Sequence, residues 1–248
     1  MKWSLRVPRF PHASRRVLLW GGVAVVAIIV WTAAPLLLRR LAFFRVRQVE
    51  LVGIRYLDAE AVLEALRLAP RASVFDDTNL LADRIRGLGG VADARVARRP
   101  PGSLKVIVRE IAPVALVVTA RGALVVVDAD GKPLPFDPAG PSPGLDLPVV
   151  QAADSGVVGV LARIQAFDPM MFETIDAARR VGVGATRGDV LLELGAHRVL
   201  LARDAGPEVI QAVTLVARDL AAKARPYAEL DGRYAGQVVV RRRGIRSA

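Results

Sequence analysis

The residue types that carry chemistry are thinly spread along this 248-residue chain. There is no cysteine, which excludes thiolate nucleophiles, thiolate metal sites and disulfides. The two histidines, His12 and His197, lie too far apart in sequence to form a local metal site. His197 could be considered as a general base, but it falls in an expected turn and reads as a solvated turn residue. Asp128-Ala129-Asp130-Gly131 opens like a calcium loop. Lys132-Pro133-Leu134-Pro135 follows it, however, and no Glu stands at the twelfth position, so a hairpin turn is expected. Gly182-Val183-Gly184 resembles the start of a phosphate cradle, but residues 190–194 alternate like a strand where that motif needs a helix. Asp76-Asp77 fits a turn and a helix cap. No acid, base and oxyanion donor assemble. The expectation is a protein with no catalytic residues, no metal, no cofactor and no small-molecule substrate.

Charge points elsewhere. The formal net charge is +11, a value that invites a nucleic-acid reading. Residues 1–47 hold nine Lys and Arg and no acid, leaving 26 basic and 24 acidic side chains in the other 201 positions. The excess therefore flanks the most apolar stretch, residues 17–38, which contains no charge. As a helix that stretch reaches about 33 Å, enough for a hydrocarbon core of roughly 30 Å. Trp20 and Trp31 stand toward its ends, where amphipathic rings favour the interface. A cleavable signal peptide ending at Thr32-Ala33-Ala34 is the rival reading, but Pro35 would follow the cut and the apolar run continues to Leu38. Ser14-Arg15-Arg16 also allows twin-arginine export. An uncleaved anchor with a short cytoplasmic tail and an exported domain is the reading taken.

The patterns after the anchor describe an α+β protein. Residues 46–53 read as a strand. Asp58 caps a helix carrying Val62, Leu63 and Leu66, stopped by Pro70. Asp77 or Thr78 caps a second helix with Leu81, Ile85 and Leu88, ended by Gly89-Gly90. Residues 91–99 and 103–110 read as strands around Pro100-Pro101-Gly102. Leu66, Leu81, Ile85 and Val106 are expected in one core. Further on, 114–119 and 123–128 read as strands, 133–148 as a proline-rich loop, and Val157, Val160, Leu161 and Ile164 as a helix face. Residues 190–194 and 199–201 form a hairpin about Gly195-Ala196-His197. Val209, Val213, Val216 and Leu220 line a last helix, and an Asp/Arg turn leads into a final strand at 234–241. Arg241-Arg242-Arg243 and Arg246 read as a basic tail, solvated by default, with an acidic partner or lipid headgroups as the sharper option.

Phe44-x-Val46-x-x-Val49-x-Leu51-x-Gly53, Val74-Phe75-Asp76, Val91-x-x-Ala94-x-Val96-x-Arg98, Pro101-x-x-Leu104-x-Val106-x-Val108-x-Glu110 and Pro113-x-Ala115 resemble the POTRA domain of the FtsQ/DivIB family of bacterial cell-division proteins. Leu230-Asp231-x-Arg233-Tyr234-x-Gly236-x-Val238-x-Val240-Arg241 resembles that family's ending. Leu88-Gly89-Gly90-Val91 departs from the pattern by lacking Pro before its Val. The resemblance implies a cytoplasmic tail (1–16), a transmembrane helix (17–38), a linker (39–43), a β-α-α-β-β POTRA domain (44–112), a mixed β-rich domain (113–241) and a basic tail (242–248). It also implies a non-enzymatic scaffold in the inner membrane at the division septum, single-pass with its C-terminal domains in the periplasm. The implied partners are FtsB and FtsL, with the septal peptidoglycan synthase complex and FtsK as further contacts, the lipid bilayer through the anchor, and no nucleic acid. An outer-membrane assembly factor and an anchored envelope enzyme are the alternatives. The expected partner site is Arg233, Tyr234, Gly236, Val238 and Val240. The last strand has no later segment to cover its edge, and Tyr234 matches the family tyrosine implicated in binding FtsB.

Overall fold

The computed structural model describes residues 20, 22–29, 31, 41–139, 145–182, 188–234 and 236–242. Trp20, 22–29 and Trp31 are helical and exposed. No helix of the described residues is long and apolar enough to cross a membrane, and the rest of the expected 17–38 span lies outside them.

Two sheets follow. The first is built from β1 (Gln48–Val52), α1 (Ala59–Leu66), α2 (Thr78–Arg86), β2 (Val91–Arg99) and β3 (Ser103–Glu110), in the order β1-β3-β2. β1 runs parallel to β3 with Val49 opposite Leu104 and Leu51 opposite Val106, and β2 is antiparallel to β3. Alternation puts Leu104, Val106 and Val108 on the helix-covered face. There they join Val62, Leu66, Leu81 and Ile85 in one buried cluster. Both helices start on aspartate caps. The Asp58 carboxylate accepts from Glu60 N–H at 3.1 Å, and Asp77 accepts from Asn79 N–H at 2.9 Å, each satisfying an orphan amide of the first turn.

Helix ends depart from expectation. α1 stops at Leu66 rather than at Pro70, because Arg67 turns left-handed at φ 46°. Arg84 of α2 then donates from Nη1 to Leu66 O at 2.8 Å, taking up a carbonyl the helix leaves free. Leu63 points outward and is exposed. α2 ends at Gly87, short of Gly89-Gly90. Gly90 instead serves packing: its φ is +82°, and a Cβ there would lie 2.8 Å from the Phe136 ring.

The strands of the second sheet are β4 (Ala115–Val118), β5 (Leu124–Val127), β6 (Val149–Val150), β7 (Ala177–Val181), β8 (Asp189–Leu194), β9 (His197–Leu201), β10 (Glu229–Asp231) and β11 (Val239–Arg241). Their order is β11-β10-β9-β8-β7-β6-β4-β5. α3 (Ser155–Phe167), α4 (Pro169–Phe172) and α5 (Pro207–Ala222) complete it. Val157, Val160, Leu161 and Ile164 of α3 and Ile210 and Val213 of α5 are buried against Ala115, Val117, Val190, Leu192, Val199 and Leu201. β6, α4 and β7 were not read from the sequence. Two residues are too few for a pattern, and Ala177-Ala178-Arg179-Arg180-Val181 does not alternate.

β4 joins the two units. Ala115 and Val117 face the helices of the second sheet, while Leu116 belongs to the first unit's cluster with Val126, Leu134 and Phe136. A strand buried on both faces reads as an unbroken apolar run, which is what Val114-Ala115-Leu116-Val117-Val118 is.

Candidate partner-binding edge

The C-terminal edge is prepared by α5 and the turn after it. Pro207 opens α5 at its first position. Ala224, left-handed at φ 47°, follows its end. Tyr227 then stacks on His197 at 4.3 Å between ring centroids, and His197 Nδ1 lies 2.9 Å from Tyr227 O. His197 is therefore the first residue of β9, packed on an aromatic ring, and not a solvated turn residue. The expected Asp/Arg turn begins in a strand: β10 runs parallel to β9 with Leu230 opposite Val199. Gly232 comes next and donates to Leu200 O at 2.8 Å. A Cβ there would lie 2.9 Å from Val213 Cγ2, so the chain turns under α5 only with glycine at this place.

A charged cluster holds the following turn. The Asp231 carboxylate is fully buried. Arg233 donates to it from Nε at 2.8 Å and from Nη2 at 2.7 Å, and from Nη1 to Asp189 Oδ2 at 2.7 Å. The backbone N–H of Arg233 adds a bond to Asp231 Oδ1 at 3.2 Å, and Arg241 Nη2 stands 3.5 Å from Asp231 Oδ2. The Arg233 hydrogen bonds hold the Asp231 carboxyl below the usual carboxylate range against the opposing effect of burial. The same contact with Asp231, and then that with Asp189, keeps the Arg233 guanidinium charged to well above its ordinary range.

The five residues expected at the site fall into different roles. Tyr234 is 48% exposed, with the Arg233 guanidinium 5.9 Å from its ring centroid. It lies in the turn before β11, not in a strand: the expected 234–241 strand is Val239–Arg241. Gly236 is exposed and left-handed at φ +73°, where only glycine turns without strain. Val238 and Val240 are half-buried and pack on the core, so their side chains face inward. Val239, absent from the expected set, is exposed; three successive valines at 238–240 carry no pattern that would have singled it out. Arg233 is engaged internally and positions its neighbour Tyr234. Beside Tyr234 lies a polar hollow of about 900 Å³ lined by Arg163, Asp189, Arg203, Asp204 and Arg233. Neither Arg163 nor Arg203 carries a local sequence signal, because the fold brings them together from α3 and the segment after β9.

The two ends of the second sheet differ. The outer side of β5 is partly covered by the chain's own return: Leu134 N–H donates to Val126 O at 2.8 Å and Pro133 bridges Val127. β11 is antiparallel to β10, with Leu230 opposite Val240, and is the terminal strand of the order. An outer strand edge of this kind offers N–H and C=O groups in a row to a strand from another chain.

The remaining motifs are accounted for by local structure. Asp128 Oδ1 accepts from Asp130 N–H and Lys132 N–H, both at 2.9 Å, closing the hairpin turn. Among the described residues no group of His, Asp and Glu could hold a metal ion. Residues 183–187, including most of Gly182-Val183-Gly184, lie outside the described residues, as do 243–248. Arg241, first of the expected basic tail, belongs to β11 and pairs with Glu229 at 3.0 Å.

With this geometry in hand, residues 44–110 match the family model for the POTRA domain of FtsQ type. The chain is 34% identical over 178 residues to the cell division protein FtsQ of Mycolicibacterium smegmatis, covering 71% of this chain and 50% of that protein. It is 32% identical over 141 residues to FtsQ of Zymomonas mobilis, covering 56% and 44%. It is 29% identical over 171 residues to FtsQ of Caulobacter vibrioides, covering 68% and 55%. The chain thus spans about half the length of these curated relatives.

Proposed function

The chain belongs to the FtsQ/DivIB family, and from that premise we propose that it is a non-enzymatic scaffold of the division machinery. In this reading residues 17–38 anchor it in the inner membrane with the N-terminus in the cytoplasm. Residues 44–112 form the POTRA domain and 113–241 the β-rich domain, both in the periplasm at the septum. The periplasmic segments of FtsB and FtsL dock on the β-rich domain, which links them to the septal peptidoglycan synthase complex and to FtsK. The observation that carries this reading is the contrast between the sheet's ends: one is bridged by residues 133–134, while the other, β11, has no strand on its outer side among the described residues and lies beside a half-exposed tyrosine. A partner strand added to β11 gains main-chain hydrogen bonds, and Tyr234 offers the buried area and hydroxyl typical of interface anchors. Confinement to the membrane raises effective concentration, so modest affinities suffice.

The test is titration of the full chain in detergent with the exported segment of an FtsB-type partner. Tyr234→Ala is expected to lose about 2 kcal/mol, roughly thirtyfold in affinity, with its thermal midpoint unchanged. Equal affinity for the variant and the parent overturns Tyr234 as the anchor. The alternatives of an outer-membrane assembly factor or an envelope enzyme predict no such partner dependence.

A further inference from the structure

We propose that the end of the three-stranded unit at which the chain enters it docks on the headgroup layer of an anionic phospholipid bilayer, fixing that unit's orientation on the membrane; the inference rests on the anchor proposed at residues 17–38. The chain arrives through Leu41 and Phe43, 51% and 60% exposed. The Phe43 ring is firmly mounted. It meets Phe44 edge-on at 5.1 Å, and Phe44 meets Phe75 at 5.0 Å, both packed on the buried cluster. Exposed apolar side chains on a surface gain free energy when a partner covers them.

Four arginines surround that end. Arg45 and Arg47 precede β1, and Arg99 ends β2 beside the turn at 100–102. Arg47 and Gln48 both donate to Gly102 O, at 2.8 and 3.2 Å, which puts the start of β1 against that turn. Arg45 bridges Ser73, bringing up the loop that carries the exposed Arg71. The nearby acids are occupied: Asp76 Oδ2 accepts from Ser73 N–H at 2.9 Å, and Asp77 caps α2. Among the described residues none of Arg45, Arg47, Arg71 and Arg99 has a carboxylate partner.

Two exposed apolar side chains at an end that also carries four arginines without a carboxylate partner among the described residues match an anionic lipid interface. The apolar groups enter at the headgroup boundary and the guanidiniums bind lipid phosphates. Each arginine held at such a surface favours docking about fivefold at moderate salt. An acidic protein could use the same charge, but position favours lipid. Leu41 comes three residues after the apolar run, with Arg39 and Arg40 between, so the bilayer is the surface these side chains reach first.

The absence of cysteine makes a single-label experiment clean. Ser103→Cys and Arg109→Cys each receive a fluorophore in the full chain reconstituted in nanodiscs. Both positions lie on one face of β3, six residues and about 20 Å apart. With phosphatidylglycerol present, a lipid-attached quencher is expected to act at least threefold more strongly at 103 than at 109. The difference should vanish in purely phosphatidylcholine discs and in 1 M salt, where the screening length is about 3 Å. It should shrink in Phe43→Ser, which leaves every charge in place. Equal quenching at both positions, or a gradient indifferent to lipid charge and salt, overturns the docking while leaving the anchor standing. A chain that elutes without lipid overturns the anchor and the docking together.

Discussion

Replacing Arg233 by Met is expected to destabilise the β-rich unit by about 2–3 kcal/mol. The perturbation removes two charge-assisted hydrogen bonds, 2.8 and 2.7 Å long, from a carboxylate that is fully buried, and a third to Asp189 at 2.7 Å. Stranding a buried charge costs about 3–5 kcal/mol when nothing else reaches it. Here Arg241 stands 3.5 Å away, and the Arg233 side chain is 29% exposed, so a second cation and water soften the loss. For a domain of this size about 2–4 °C accompanies each kcal/mol, giving a fall of roughly 5–10 °C in the thermal midpoint. The assay is far-ultraviolet circular dichroism of the full chain in detergent at neutral pH. Arg233→Lys should recover little, because one ammonium cannot replace the planar fork. The double variant Asp231→Asn with Arg233→Met should regain part of the loss, since no charge is then stranded. An Arg233→Met midpoint equal to the parent's would refute the assignment of this cluster as the brace of the Tyr234 turn.

The other expectations are simpler. Leu81→Ala empties a buried place in the first unit's cluster and should cost about 2–4 kcal/mol, read as a lower denaturant midpoint with an unchanged slope. Gly90→Ala forces a Cβ to 2.8 Å from the Phe136 ring at φ +82°, and a loss of about 1–3 kcal/mol is expected; a neutral outcome would mean that residues 135–136 do not pack there. Asp231 has a lowered folded-state pKa, set chiefly by Arg233, so its contribution is present above the unfolded value near 3.9 and is lost as pH falls through the folded value. The parent should therefore lose stability more steeply than Asp231→Asn below about pH 4, and parallel acid titrations of the two would contradict this.

The POTRA region was legible because its determinants are local. Asp58 and Asp77 precede runs with apolar residues four apart, and residues 91–99 and 103–110 carry strand patterns around an unmistakable turn. These features need no knowledge of distant partners, and their limits in the structure agree to the residue for both strands. Where local reasoning failed, a distant contact decided. The end of α1 is set at Arg67 with Arg84 from the next helix, not by the nearby proline. His197 is defined by Tyr227, thirty positions later.

The candidate site divides along the same line. The charge asymmetry, the apolar run, the lack of thiols and the existence of a final strand are readable from the sequence alone, but the strand's expected start at Tyr234 moves to Val239 in the structure. The sequence could not tell that Arg233 is spent on Asp231 and Asp189, because Asp189 lies 44 residues away and is brought near only by strand order β10-β9-β8. Nor could it tell that Val239 is exposed while Val238 and Val240 turn inward, since three successive valines leading into a three-residue strand show no alternation. The strand's place at the sheet's end is likewise a property of the assembled sheet. Whether an edge is covered depends on which segment returns to it: residues 133–134 return to β5, and among the described residues no strand pairs with the outer side of β11.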